Sequence, residues 1–134
     1  MTVRNVEPLS LWNHFADLNA VPRPSKKEER VIEFMMNFGK SLGLETLKDE
    51  IGNVIIRKPA SPGMEDKKMV ILQSHLDMVH QKNRETEFDF DKEGIKMRVN
   101  GDWIDADGTT LGADNGIGVA TIMATLSATN IEHP

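Results

Sequence analysis

Apolar residues recur at helical spacing close to the start of the chain. Leu11, Phe15 and Leu18 fall on one face of a short helix that begins near Leu9. The segment Val21-Pro22-Arg23-Pro24 follows, and it ends this helix because proline cannot donate a hydrogen bond to the helical ladder. The pattern therefore predicts a short amphipathic helix followed by a break.

A second, longer helix is predicted after that break. Ser25 and Glu28 match the S-x-x-E capping box, in which each side chain accepts a hydrogen bond from the other residue's backbone. Gly43 is suited to the position just after a helix, where a left-handed backbone is common. Five apolar residues between these signals are expected to face the core: Val31, Ile32, Met35, Phe38 and Leu42.

Short apolar runs then alternate with turn signals, which predicts two hairpins. Residues 44–47 and 54–56 flank a Gly-Asn pair and are expected to form the first hairpin. Residues 95–99 and 103–106 flank an Asn-Gly pair and are expected to form the second. The polar and charged residues 81–94 between them predict a loop.

One run is almost continuously apolar, which is typical of a strand covered on both faces. It spans residues 69–73. The last helix is expected over residues 115–127, where Gly116 and Gly118 each cost roughly 1 kcal/mol of helix propensity relative to Ala. Close approach of the backbone to the sheet or to a ligand would offset that cost. The order of elements predicts an α/β fold with a mixed β-sheet flanked by helices.

Composition narrows the function classes. The 134 residues suffice for one domain with a core, and 39% apolar and 28% charged residues are typical of a globular protein. A net charge of −5 argues against a nucleic-acid partner. The absence of cysteine excludes disulfides and thiolate ligands. With no apolar leader and no run long enough for a membrane span, we expect a cytoplasmic protein without a membrane partner.

Two polar positions stand at the predicted end of the apolar strand. His75 and Asp77 are two residues apart, so in extended backbone their side chains point the same way. A carboxylate in that place can fix the tautomer of a histidine that ligates a metal. The alternative is a structural His–Asp pair, and this short motif alone does not decide between the two.

A glycine-rich segment, residues 108–118, contains Asp114 at the start of the last helix. Taken alone, Asp114 is most simply interpreted as the helix N-cap. A phosphate-binding loop is disfavoured, because no lysine follows the last glycine and the spacing fits neither common phosphate-binding fingerprint.

Together these segments resemble a known family. SHLDMV and GTTLGADNGIGVA are similar to motifs of the co-catalytic zinc peptidases, and LWNHFADLNAVPRPS, GNVIIRKPASPGME and LQSHLDMVHQKN resemble the aminoacyl-histidine dipeptidases in particular. The resemblance covers essentially the whole chain. It implies that residues 1–134 form a single, partial catalytic α/β domain, the N-terminal part of a zinc-peptidase catalytic domain.

The resemblance also implies roles for three residues. His75 matches a histidine ligand of one metal, Asp77 matches the catalytic carboxylate that orients this histidine, and Asp114 matches the aspartate that bridges two metals. A cis peptide after Asp114 is common in the family. The implied cofactors are two divalent metal ions, expected to be zinc. The implied partners are a dipeptide substrate of the Xaa-His type and, for full-length members, a second copy in a homodimer.

The family's remaining site residues have no match here. A Glu-Glu pair, a later aspartate and a distal histidine are expected beyond Asp114, and Glu132 and His133 stand at the wrong spacing. Since a catalytic zinc normally takes three protein ligands, the chain is expected to be inactive alone. Two alternatives remain open: a non-catalytic truncated remnant or binding module, and a deacylase or carboxypeptidase of the same superfamily. His14 and His80 are expected to be ordinary packing or loop residues.

Overall fold

The computed structural model describes all residues from Met1 to Pro134. Three α-helices and two β-hairpins follow a short 3-10 helix at Val3–Asn5. The elements are α1 (Leu9–Asn19), α2 (Glu29–Ser41), β1 (Glu45–Lys48), β2 (Val54–Arg57), β3 (Met97–Asn100), β4 (Trp103–Ala106) and α3 (Ala113–Ser127). The predicted α/β class is confirmed.

The core lies where the three helices meet. Helices α1 and α2 contribute Leu18, Val31 and Met35 from the faces that their spacing predicts. Leu42, also predicted to face the core from α2, is exposed, because it lies at the end of that helix. Helix α1 packs extensively along α3. The central buried cluster comprises Leu18, Val31, Met35, Val119 and Met123. Because α3 begins at the candidate site, the same packing that stabilises the core also fixes the position of the residues at the start of α3.

The end of α2 follows the sequence prediction. Gly43 has a φ of 69°, which is the left-handed conformation that glycine adopts without steric cost. Its N–H donates to the Lys40 carbonyl at 2.9 Å, and the Leu44 N–H donates to the Gly39 carbonyl at 3.1 Å. This pair of bonds is the Schellman arrangement, so the predicted stop is confirmed.

The predicted capping box at the start of α2 is wrong. No side chain caps this helix, whose first residue is Glu29. Glu28 instead accepts a hydrogen bond from the Lys26 backbone N–H at 2.6 Å. The Ser25 hydroxyl donates to the Asp77 carboxylate and to the Met78 carbonyl. Ser25 therefore bonds to the distant residues Asp77 and Met78 instead of capping α2.

Both predicted hairpins are confirmed. In the first, β1 pairs antiparallel with β2 and Glu45 lies opposite Arg57. In the second, β3 pairs antiparallel with β4 and Met97 lies opposite Ala106. Between β1 and β2, the turn is organised by Asp49, whose carboxylate accepts three backbone N–H groups.

The prediction of one mixed sheet is corrected. The two hairpins form separate two-stranded sheets, and residues 69–73, predicted as a buried strand, form no strand at all. Their backbone makes no hydrogen bond to other backbone groups. The side chains from Met69 to Leu72 are 51–78% exposed. The run has the composition of a strand covered on both faces, but no other part of the chain covers it.

None of the helices combines the length and the hydropathy that a membrane-spanning helix requires.

Candidate metal centre

The fold brings His75 and Asp114 into contact across 39 positions of sequence. The Nε2 atom of His75 lies 3.1 Å from Oδ1 of Asp114. The pair is open to solvent, with 48% of the His75 side chain and 96% of the Asp114 side chain exposed. An exposed ion pair of this kind contributes little to stability, so its accessibility is better suited to a ligand than to holding the fold together.

The other ring nitrogen of His75 is engaged by Asp77. Nδ1 lies 3.1 Å from Oδ1 of Asp77 and 3.0 Å from the Asp77 carbonyl oxygen. When Nδ1–H donates to these oxygens, the neutral ring keeps its lone pair on Nε2, on the side of Asp114. The sequence expectation that His75 and Asp77 share one side of the backbone is met by this geometry.

Hydrogen bonds shift the pKa values of His75 and Asp77. The Asp114 carboxylate is the main cause that raises the pKa of His75, with slight burial acting against it. The hydrogen bond from Ser25 is the main cause that lowers the pKa of Asp77. Both shifts favour the charged forms, so in the metal-free chain His75 and Asp77 form a hydrogen-bonded ion pair when His75 is protonated.

The segment that carries His75 is held by the residues before α2. The Met78 N–H donates to the Arg23 carbonyl at 3.0 Å, and the Ser25 N–H donates to the Met78 carbonyl at 3.1 Å. Pro24 and Met78 thus form a parallel bridge. The segment takes its position from this short pairing, although the strand predicted before it is absent.

Asp114 does not act as the helix N-cap, which corrects the simplest interpretation of this residue alone. Gly112 occupies the cap position, with a φ of 73°. Asp114 itself has non-helical backbone angles, with φ −94° and ψ 105°, and makes no capping bond. The peptide bond between Asp114 and Asn115 is cis, as the family resemblance implied. The Ser74 hydroxyl donates to the Asn115 carbonyl at 3.1 Å, which ties the two site segments together.

The donor set fits part of a metal site. His75 offers an imidazole nitrogen and Asp114 offers carboxylate oxygens, both of which zinc accepts. No group of three or more His, Asp or Glu side chains is arranged so that it could hold a metal ion. Two ligands are fewer than the three that a catalytic zinc normally takes from protein. The residues present therefore fit a portion of such a centre.

The remaining histidines lie elsewhere. His14 contacts the Ser127 hydroxyl at 3.0 Å, His80 stacks at a tilt against Phe90, and the His133 backbone pairs with Ser61. The expected packing and loop roles of His14 and His80 agree with these contacts.

Two residues around the site were missed from the sequence. The sequence pattern predicts Ser25 as a helix cap and marks Arg23 only as part of a proline-flanked break. Arg23 is in fact 1% exposed, and burial lowers its pKa to about 10 while the charge of Asp77 acts against that shift. No spacing rule marks an arginine between two prolines as buried, since arginine is almost always exposed.

Comparison with known proteins supports the family resemblance. No family model matches the chain. The chain is 47% identical over 128 residues to the cytosol non-specific dipeptidase of Escherichia coli (strain K12), covering 96% of this chain and 26% of the relative. It matches the crystal structure of aminoacylhistidine dipeptidase from Vibrio alginolyticus with a TM-score of 0.97 and 44% identity, over 99% of this chain and 27% of that one.

A more distant likeness extends to an aminopeptidase, PepT, from Bacillus cereus, with a TM-score of 0.67 and 26% identity over 92% of this chain and 33% of that one. The chain thus spans about a quarter of the length of the two nearer relatives described above. The resemblance to the aminoacyl-histidine dipeptidases is confirmed, and all of these relatives are named as peptidases.

Proposed function

We propose that this chain is part of a metal-dependent dipeptidase and that His75 and Asp114 are two of its metal ligands. The observation that carries the proposal is the 3.1 Å approach of His75 Nε2 to Asp114 Oδ1. These atoms are far apart in sequence, exposed, and of the types that bind zinc. The similarity to dipeptidases over nearly the whole chain supports the same conclusion.

The chain's own groups have separate tasks in this proposal. Asp77 holds the proton at Nδ1 of His75, which keeps the Nε2 lone pair available. Asp114 uses only Oδ1 toward His75, and Oδ2 makes no hydrogen bond. One carboxylate oxygen is therefore free to serve a second cation. When bound, divalent metal ions supply Lewis acidity, which polarises a peptide carbonyl and lowers the pKa of water.

We further propose zinc as the metal and Xaa-His dipeptides as the substrates. The ligand types and the absence of cysteine are compatible with zinc held by nitrogen and oxygen. The name of the Vibrio alginolyticus relative supports the substrate class. A cytoplasmic location is supported by the name of the Escherichia coli relative. We also propose a homodimer for full-length proteins of this kind, as the family resemblance implies.

Zinc titration of the metal-free chain by calorimetry tests the ligand assignment. Because no third ligand joins His75 and Asp114 in an arrangement that could hold a metal, we expect weak zinc binding and no hydrolysis of Ala-His or related dipeptides by the 134-residue chain. His75→Ala and Asp114→Asn should each weaken zinc binding by at least tenfold, about 1.4 kcal/mol. His80→Ala, which alters an exposed loop histidine, is the control and should bind like the parent chain.

Two results would contradict the proposal. One is zinc binding that is unchanged by both His75→Ala and Asp114→Asn. The other, against the incompleteness of the site, is clear dipeptide turnover by the purified chain with zinc added.

A further inference from the structure

The buried guanidinium of Arg23 lies between the two segments that carry the candidate ligands. Arg23 stands between Pro22 and Pro24 and is 1% exposed. Its two terminal nitrogens donate to four oxygen atoms, and only Nε lacks a partner. A buried arginine is costly to desolvate, and its hydrogen bonds to four oxygen atoms offset that cost only while each partner stays in place.

One side of Arg23 binds the segment that carries His75. Nη1 donates to the Leu76 carbonyl at 3.1 Å and to the Asp77 carbonyl at 3.4 Å. The Arg23 carbonyl accepts the Met78 N–H at 3.0 Å. The side chain and backbone of one residue thus hold three consecutive positions that begin directly after His75.

The other side binds the loop that carries Asp114. Nη2 donates to the Gly112 carbonyl at 2.9 Å and to Oδ1 of Asn19 at 2.7 Å. Asn19 is fully buried, and its side-chain N–H donates to the Leu111 carbonyl at 3.0 Å. Arg23 and Asn19 together therefore fix the two residues that lie just before Ala113 and Asp114.

Glycine is needed where the loop and α3 meet this guanidinium. A Cβ placed on Gly112 would lie 2.6 Å from Nη2 of Arg23. One placed on Gly116 would lie 2.7 Å from the same atom and also 2.7 Å from Cε2 of Phe15. The low helix propensity of Gly116 is thus offset, because this glycine permits the close approach of Arg23 and of the Phe15 ring. Arginine suits this place because its planar fork donates in two directions at once, whereas the lysine ammonium cannot reproduce that geometry.

We propose that Arg23 is a positioning residue that sets the distance between His75 and Asp114 by bonding to main-chain carbonyls beside each of them. The metal-binding consequence rests on the proposed function, while the positioning itself concerns the metal-free chain. Other contacts also join the segments, such as the Ser74 hydroxyl to the Asn115 carbonyl and the Thr110 hydroxyl to the Val79 carbonyl at 2.8 Å. Arg23 differs from them because its side chain is buried and touches both segments.

The test compares Arg23→Met, Arg23→Lys and Gly116→Ala with the parent chain. The direct readout is the nuclear Overhauser effect between the His75 ring protons and the Asp114 β protons without metal. The free energy of unfolding and the β1–β2 cross-strand effects report the rest of the fold. Arg57→Met, which removes an exposed ion pair with Glu45, is the matched control.

We expect the His75–Asp114 effect to weaken severalfold in both Arg23 variants and in Gly116→Ala, while the β1–β2 effects persist. Arg57→Met should leave the His75–Asp114 effect unchanged. Zinc affinity, measured in parallel, should fall by about tenfold or more, as it does when groups that orient ligands are removed. If Arg23→Met fails to fold, Arg23→Lys decides the matter, because an added Cβ at Gly116 would also press on Phe15.

The inference is overturned if Arg23→Lys and Gly116→Ala lower the free energy of unfolding yet keep the His75–Asp114 effect at parent intensity. Arg23 would then stabilise the core without positioning the site. Failure of the proposed function gives a different result: the parent chain shows the effect, the Arg23 variants lose it, and none of them binds zinc.

Discussion

Ser25 donates its hydroxyl hydrogen to the carboxylate of Asp77 across 52 positions of sequence. Asp77 in turn contacts Nδ1 of His75 at 3.1 Å. Ser25 therefore holds the carboxylate that orients His75. A substitution at Ser25 should change the orientation of His75, although Ser25 does not contact His75 itself.

Ser25→Ala tests this chain of contacts. Without the hydroxyl, Asp77 is free to rotate away from His75, and we expect zinc affinity to fall severalfold and the free energy of unfolding to fall by about 1 kcal/mol. Ser25→Thr keeps the hydroxyl and serves as the control. Calorimetric titration and chemical denaturation measure the two effects. Equal zinc affinity in the alanine and threonine variants would show that Ser25 has no influence on His75.

The turn between β1 and β2 should confer an acid-dependent stability through Asp49. The side chain of Asn53 is the main cause that lowers the pKa of Asp49, and the backbone N–H groups of Asn53, Gly52 and Ile51 add to it. A carboxylate with a lowered folded-state pKa stabilises the fold above its unfolded value, near 4. That stability is lost as the pH falls through the folded-state pKa.

Asp49→Asn should remove this dependence. We expect the free energy of unfolding of the parent chain to fall more steeply than that of the variant when the pH is lowered from about 5 to about 3. Asp66→Asn, at an exposed aspartate in a loop, is the control and should keep the parent slope. Denaturant titrations across this pH range measure both, and parallel curves for the parent and Asp49→Asn would contradict the expectation.

The exposed apolar run should make the chain associate with itself. Four consecutive apolar side chains from Met69 to Leu72 are more than half exposed, and their backbone is unpaired, a combination that favours pairing with another chain. Ile71→Lys should reduce the association seen by sedimentation velocity and change the free energy of unfolding by no more than about 0.5 kcal/mol. A parent chain that stays monomeric at all concentrations would rule this out.

The parts of the fold that were predicted correctly depend on local signals. The helices, the glycine stop at Gly43 and both hairpins follow from periodicity and turn residues, which act within a few positions. The three site residues came from family motifs, and the structure places them together. The strand predicted over residues 69–73 is absent because a strand forms only beside a partner strand, and an apolar run does not specify that partner.

The missed features depend on tertiary competition. Serine commonly caps helices, but the Ser25 hydroxyl donates to the charged carboxylate of Asp77, and a hydrogen bond to an ionised group is stronger than a neutral one. The burial of Arg23 depends on the carbonyls of Leu76 and Gly112, which lie 53 and 89 positions away. The burial of Asn19 depends on the Leu111 carbonyl, which lies 92 positions away. No local window of sequence contains both partners.

His14 should lower stability at mildly acidic pH. Its ring is half-buried, contacts Ser127 and lies edge-on to Phe38. Burial lowers the pKa of His14, and the charge of Asp17 opposes this shift. Below the unfolded-state pKa of about 6.5, the unfolded chain binds a proton that the folded chain does not. Stability is therefore lost as the pH falls from about 7.5 toward the folded-state pKa.

His14→Gln isolates this effect, because glutamine can still reach Ser127 and does not titrate. We expect its free energy of unfolding to change less than that of the parent chain between about pH 7.5 and pH 5.5. His80→Gln alters an exposed histidine and should retain the parent slope. If the His14→Gln curve runs parallel to the parent curve, burial of this ring does not oppose its protonation, and the contact with Ser127 must be made equally well by the charged form.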